Sequence, residues 1–344
     1  MAGPVASDAV TDAVQQSDEL DVVGIGNALV DVLTHEADAF VEANDLERGA
    51  MTLIDMDRAE SLYAAMGQGI EASGGSAANT IAGIAGFGGR AAYIGRVRDD
   101  QLGTVFAHDL RSIGVTFRCA PATDGPPTGR CLIVVTPDAQ RTMSTYLGAS
   151  ELLGADDVDG DLIAAAQVTY LEGYLFDRPE AQEAYWKASR MAHEAGRRVG
   201  LTLSDTFCVE RHKQAWRLLV TDQVDVLFAN ESEALALYDV STLDDVVAHV
   251  RADVEIAAIT RGARGSLVVH GDELIEIAAR PVPSVVDTTG AGDLYAAGFL
   301  FGLTNGRALD ACGRLGSMAA SAVLGHTGAR PSTSLAQAAR ALAL

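Results

Sequence analysis

The chain has 344 residues, enough for one large domain or two smaller ones around a substantial core, and its 48% apolar and 21% charged content suits a globular protein. Lys and Arg total 25 against 47 Asp and Glu, a net charge of −22. That balance excludes sequence-independent binding to nucleic acid, which needs clustered basic residues, and speaks against docking on an anionic membrane; it also fits adaptation to high intracellular salt.

The opening stretch 1–19 is acidic and polar, with neither a basic nor an apolar region of a signal peptide, and reads as a disordered tail. Val22-Val-Gly-Ile-Gly26 is the short apolar run of a central α/β strand. Met51–Ile54 reads as a strand, and Asp57–Met66 as a helix. Ser76–Gly86 reads as a helix whose small residues suit close packing. Val115–Cys119, Gly129–Thr136 and Thr142–Tyr146 are β-rich, separated by turn signals at Thr123–Pro127 and Pro137-Asp138, and predict an antiparallel patch projecting from the main sheet. Beyond Ala164 strand and helix alternate. The runs Val168–Leu171, Val199–Leu203, Val224–Phe228 and Ile256–Ile259 are spaced by helical stretches such as Pro179–Ala195, which predicts a parallel sheet covered on both faces. Ligands of such sheets sit beyond the carboxyl ends of the strands. No apolar run reaches the length of a membrane span, and Cys119, Cys131, Cys208 and Cys312 form no C-x-x-C pair. A cytoplasmic protein with free, mostly buried thiols is expected.

The most informative segment is Val285–Phe299, in which a short extended run meets Asp287-Thr-Thr-Gly-Ala-Gly-Asp293 and then a helix. Gly290, Ala291 and Gly292 at a helix start leave backbone N–H groups free for an anion, and the helix dipole adds to the attraction. Asp293, beside that cradle, is placed to take a proton from an incoming hydroxyl; the plainer reading is a helix-capping acid. Other phosphate-binding designs fail. The only lysines, Lys187 and Lys213, follow no glycine, which excludes a P-loop. Gly24-Ile-Gly26 lacks the third glycine of a dinucleotide fingerprint, because Leu29 stands there. No H-x-H, H-E-x-x-H or G-x-S-x-G occurs.

Residues Asp287–Leu300 resemble, at every restricted position, the carboxy-terminal signature of the ribokinase/PfkB family of carbohydrate and nucleoside kinases. Further likenesses run through the chain. Ser73-Gly-Gly-Ser-Ala-Ala-Asn79 resembles the family's glycine motif, Asn230-Glu-Ser-Glu233 its magnesium-associated N-x-x-E, and Thr260-Arg-Gly262 its nucleotide-side T-x-G. The resemblance implies a ribokinase-like three-layer α/β/α sandwich over residues 20–344, with lid segments near 30–54 and 115–148. It also implies ATP with Mg²⁺ as cofactors, a small-molecule acceptor, and a monomer or homodimer. By the same likeness Asp293 is the base, Gly290, Ala291 and Gly292 hold the phosphates, and Arg141 is a lid arginine reaching the transferred phosphoryl group. Asn230 and Glu233 would hold Mg²⁺, largely through water; Thr260 and Gly262 would face the nucleotide. Asp287, Thr289, Gly328 and Ser332 would complete a site for K⁺.

Gly26-Asn-Ala-Leu-Val-Asp31 narrows the likeness to adenosine kinases and their bacterial relatives, as does the G-G-S form of Gly74-Gly75-Ser76. By that resemblance Asn27, Asp31, Gly74, Gly75, Ser76 and Asn79 form the acceptor site, with Asp31, Gly75 and Asn79 on the ribose hydroxyls. Cys131, Leu147, Ala149, Tyr174 and Phe207 would wall the base. Tyr174 stands where adenosine kinases often carry Phe, which keeps guanosine and inosine open. Ribose, fructose or a keto-sugar acid is the nearest alternative acceptor, and a non-catalytic nucleoside-binding protein the farther one.

Overall fold

The computed structural model describes residues 19–138 and 140–342, so all but the last residue of the predicted tail lies outside the described residues. In chain order the strands are β1 (Leu20–Ile25), β2 (Leu29–His35), β3 (Met51–Leu53), β4 (Ile70–Gly74), β5 (Ala91–Ile94), β6 (Thr128–Val135) and β7 (Arg141–Gly148). There follow β8 (Ala166–Glu172), β9 (Arg198–Thr202), β10 (Val226–Asn230), β11 (Ile256–Thr260), β12 (Ser266–His270) and β13 (Glu273–Ile277). The main sheet has eight strands in the order β13-β12-β11-β10-β9-β8-β1-β5. From β5 to β11 they run parallel, while β12 and β13 are antiparallel additions at one edge. The sequence reading contained no hairpin there. Its signal is Gly271-Asp272, a two-residue turn in which Gly271 takes a φ of +53°.

The central strands are apolar at successive positions because both faces are covered. Val22, Tyr170, Phe228 and Ala258 point into one core; Val23, Leu171, Leu227 and Ala257 point into the other. The helices preceding β8 are α1 (Asp38–Ala43), α2 (Met56–Ala65), α3 (Ser76–Phe87), α4 (Gln101–Ser112) and α5 (Gly160–Ala165). Those after it are α6 (Pro179–Glu194), α7 (Thr206–Gln223), α8 (Glu231–Tyr238), α9 (Leu243–Asp253), α10 (Ala291–Thr304), α11 (Leu309–Leu324) and α12 (Leu335–Ala341). Helices α3, α4 and α10–α12 contribute to the first core and α5–α9 to the second, which makes the three-layer α/β/α sandwich that the family resemblance implies. Helix α3 packs as its small residues predict. A Cβ on Gly83 would lie 2.7 Å from that of Ala297 in α10, so the two helices come close enough for short side chains to reach across.

A second sheet, in the order β3-β7-β6-β2-β4, stands over one end of the first. The predicted patch is thus real but differently made. Strand β2 pairs parallel to β6 and β3 parallel to β7, so the sheet is mixed rather than antiparallel. Val115–Cys119 does not belong to it. Thr116 instead bridges Ala92 beside β5, its N–H and C=O bonded to Ala91 and Tyr93, and Val115 and Phe117 are buried against Tyr93 and Phe106. The run is apolar because it covers the open edge of the main sheet. Its place in the patch falls to β2 and β4, the second of which runs into Ser73-Gly-Gly-Ser-Ala-Ala-Asn79. Among the described residues no helix is long and apolar enough to cross a membrane.

Candidate active site

Between the two sheets, beyond the carboxyl ends of β1 and β8–β11, lies a cavity of about 600 Å³. Residues from every predicted motif meet in it: Asn27, Asp31, Gly75, Ser76, Asn79, Cys131, Leu147, Tyr174, Phe207, Asn230, Glu233, Thr260, Gly290, Gly292 and Asp293, joined by Thr289. Gly74, Arg141, Ala149, Gly262, Asp287, Ala291, Gly328 and Ser332 are not on its surface.

Asp293 sits in the first turn of α10, half-buried at the floor. Ser76 Oγ donates to its Oδ1 at 2.6 Å and Asn79 Nδ2 to its Oδ2 at 3.2 Å, while Thr80 Oγ1 donates to its backbone carbonyl at 3.1 Å. Burial pushes its carboxyl up to about 6; the bonds from Ser76 and Asn79 oppose that rise, and the Asp31 charge adds to it. The group is therefore a carboxylate at neutral pH with an affinity for a proton well above that of an exposed Asp. Ser76 and Asn79, read from the resemblance as acceptor ligands, reach this carboxylate directly.

The cradle beside Asp293 has the geometry its glycines predict. Gly290 caps α10 at a φ of +75°, and a Cβ there would lie 2.7 Å from Ala329. Gly292 faces open space, with nothing within 4 Å of where a Cβ would project. Ala291 is the first helical residue and contributes its backbone.

On the acceptor side, Asp31 projects from β2 and its carboxyl lies over Gly74, where any Cβ would overlap it. Burial raises Asp31 to about 6, against the pull of Arg330 and Arg141. Gly75 caps α3 at a φ of +99°, where a Cβ would overlap the Asn27 carbonyl; both constraints demand glycine. Asn27 is not free for a ligand. Its amide donates to Glu172 Oε1 at 2.8 Å and accepts from Ser150 Oγ at 2.9 Å, and its side chain is buried. Glu172, at the end of β8, is the chief site residue that the sequence reading missed. An acid closing the apolar run Val168–Leu171 at a strand's carboxyl end was its signal.

The lid supplies an apolar wall. Cys131, Ile133 and Val135 alternate along β6, with Leu33 and Met143, on the face opposite α2, and Leu29, Met51, Leu53 and Leu147 extend the lining. The Cys131 thiol accepts a bond from Thr145 and is pushed by burial up to about 12, so it is an inert packing group. Tyr174 and Phe207 form a tilted pair with ring centres 6.0 Å apart, and the Tyr174 hydroxyl is spent on the Ser204 carbonyl at 3.2 Å. Ala149, predicted to share this wall, is buried in a short turn after β7 and does not reach the cavity.

On the far side Asn230 and Glu233 form a reciprocal cap of α8. Glu233 accepts from the Asn230 N–H at 2.8 Å and amide at 2.6 Å, and its own N–H donates to Asn230 Oδ1 at 2.8 Å. Burial raises the Glu233 carboxyl to about 7, with the Asp205 charge adding to it and the Asn230 N–H opposing. A buried carboxylate on the cavity wall that meets dipoles but no cation fits a hydrated Mg²⁺ nearby. Asp287 differs. Arg141 pairs with it, and Thr289 and Gly328 donate their N–H groups at 2.9 and 3.0 Å. Burial raises its carboxyl, but these donors outweigh that and hold it below the usual range. Both Asp287 carboxylate oxygens, read for K⁺ from the resemblance, thus accept from these donors. Arg141 accordingly reaches the base of the cradle loop rather than the cavity itself. Among the described residues no cluster of three or more His, Cys, Asp and Glu is arranged to hold a metal.

A fold of this class, with a carboxylate beside a helix-start cradle under a β lid, is that of a small-molecule kinase. Residues 49–336 match the family described as pfkB family carbohydrate kinase, and the chain belongs to it: a phosphotransferase that uses ATP and an alcohol acceptor. The structure is similar to that of adenosine kinase from Sinorhizobium meliloti, at 51% identity and a TM-score of 0.87, covering 94% of this chain and 99% of that one. A probable sugar kinase from Rhizobium etli CFN 42 is similar at 47% identity and a TM-score of 0.87 over the same shares. The adenosine kinase of Saccharomyces cerevisiae is 28% identical over 311 residues, 84% of this chain and 90% of its own length.

Proposed function

We propose that the protein transfers the γ-phosphoryl group of ATP to the 5′-hydroxyl of a nucleoside, adenosine foremost. The observation that carries this is the pairing, in one cavity, of the Asp293 carboxylate beside the Gly290–Gly292 cradle with an apolar wall across from it. A sugar alone gives that wall, from Leu29 and Met51 to Leu147, nothing to bury; a purine does. The likeness to two adenosine kinases supports the same acceptor.

Asp31 accepts hydrogen bonds from the ribose hydroxyls and sets the sugar so that its 5′-oxygen points at Asp293. Asp293 takes the proton from that hydroxyl. The oxygen attacks the γ-phosphorus in line, the bond to the bridging oxygen breaks, and ADP leaves. N–H groups at the start of α10 meet the charge on the phosphoryl oxygens, and Arg141, released from Asp287, adds to them. Glu233 with Asn230 would hold Mg²⁺ through water, and the ion would supply further neutralisation of the phosphates. Tyr174 and Phe207 offer aromatic faces to the base.

Product identity tests this. Phosphorus NMR of a reaction with adenosine and ATP should show ADP and a 5′-monophosphate in equal amounts. A phosphate on another oxygen, or no turnover, would contradict it. The name of the Rhizobium etli relative favours a second reading, a sugar kinase, for which the apolar wall has no use.

A further inference from the structure

We propose that Glu172 is a positioning residue, a buried tie that locks the β1–β2 connection to the start of α3 and so fixes the groups that orient Asp293. Its carboxylate bridges two segments that touch the site from different sides. Oε1 accepts from the Asn27 N–H at 3.2 Å and the Asn27 amide at 2.8 Å; Oε2 accepts from the Ala77 N–H at 2.7 Å. The first contact holds the turn that leads into β2 and Asp31. The second holds the first turn of α3, one residue after Ser76 and two before Asn79, the two donors to Asp293. Its own backbone is fixed by Tyr185, whose hydroxyl accepts from the Glu172 N–H at 3.1 Å and donates to its carbonyl at 2.5 Å.

The local sequence is shaped around this tie. A Cβ on Gly26 would overlap Glu172 Oε2, so the second glycine of Gly24-Ile-Gly26 makes room for the carboxylate. Asn27, engaged through N–H, amide and carbonyl oxygen, serves the same purpose. The remaining Asn27 acceptor, its backbone carbonyl, takes the Tyr93 hydroxyl at 2.9 Å.

The ionisable groups facing Glu172 are Tyr93 from β5, Tyr170 from β8, Tyr185 from α6, Cys208 from α7 and Asp293 from α10. None is cationic. Burial pushes Glu172 up to about 7; the Ala77 and Asn27 donors oppose the rise and the Asp293 charge adds to it. Protonating Glu172 removes an acceptor that Asn27 or Ala77 needs.

The tie rests on the assignment of Asp293 as base, and the test separates the two. In Glu172→Gln the new amide donor must face an N–H, so one anchor is lost at constant volume. Acceptor kcat/KM should fall about tenfold or more, through kcat as Asp293 loses its oriented donors and through acceptor KM as the turn before Asp31 loosens, while the Kd for ADP by calorimetry stays within about twofold. The acid limb of log kcat/KM, to which Glu172, Asp31 and Asp293 each contribute a proton in the wild type, should lose one proton from its limiting slope. Asn27→Ala, which removes the other end, should reproduce the acceptor defect and decides the matter if Glu172→Gln does not fold. Glu172→Asp, charged but too short to span both partners, should not restore activity. Wild-type acceptor kcat/KM and acid limb in Glu172→Gln would overturn the proposal, as would equal losses of acceptor and ADP affinity. An active Asp293→Asn enzyme would remove the base but leave the acceptor-KM defect of Glu172→Gln standing.

Discussion

The floor of the cavity and the lid above it hold their functional groups in different ways. On the floor, Asp293, Glu172 and Glu233 are carboxyls met by N–H, amide and hydroxyl donors, with no cation bonded to any of them. The lid is the reverse, an apolar wall from which one buried cation, Arg141, reaches out to pair with Asp287 on the cradle loop. Burial raises all three carboxyls, so the floor favours protons and positive charge. The lid's buried cation is attached at Asp287, on the loop that leads into the Gly290–Gly292 turn.

This contrast can be broken from either side. Asp293→Asn keeps the floor's shape and removes its base; kcat should drop by about 10³-fold or more, with ADP affinity nearly intact by calorimetry. Arg141→Ala removes the buried cation that the lid extends to Asp287, and kcat should fall about 10²-fold, because the transferred group loses a cation at its most charged point. A loss confined to acceptor KM would show that Arg141 only seats the lid. Asp31→Ala should act on binding instead. The acceptor KM should rise about 10- to 100-fold with little change in ATP KM, the size of a charge-assisted hydrogen-bond pair.

The smallest effect is graded with pH. Asp293 and Asp31, both raised to about 6, must be ionised to work, so kcat/KM should climb as pH passes 6 and level off above 7. Stability runs the other way. Carboxyls raised in the folded state contribute stability that is full below their unfolded values near 4 and lost as pH rises through 6 to 7, where Glu172 and Glu233 also titrate. The melting temperature should therefore fall between pH 5 and pH 8. Asp138, lowered to about 2 by Thr136 and Arg48, acts only below this window. A melting temperature that rises steadily over that range would count against uncompensated carboxyls on the floor.

The layered parallel sheet was legible because strands buried on both faces must be apolar throughout, and the cradle because Gly290 and Gly292 leave few alternatives. What escaped was set by partners distant in sequence. Val115–Cys119 has the composition of a strand, yet covers a sheet edge whose position depends on β5. The resemblance put Ser76 and Asn79 in the acceptor site, but their bonds to Asp293 come from the close crossing of α3 and α10. Asn27 was read as an acceptor ligand from the family resemblance. Its occupation by Glu172 and Ser150 could not be seen without the fold that brings residues 145 and 123 positions away against it. Cys131 and Ala149 looked alike as apolar candidates; pleating puts one in the cavity and a turn buries the other.

The most direct test of the central claim is a comparison of kcat/KM by ADP release for adenosine, guanosine, inosine, ribose and fructose. Adenosine should exceed both sugars by at least about 10²-fold, the contribution of burying a purine against Leu29, Met51 and Leu147. Ribose or fructose turning over as well as adenosine would contradict the account.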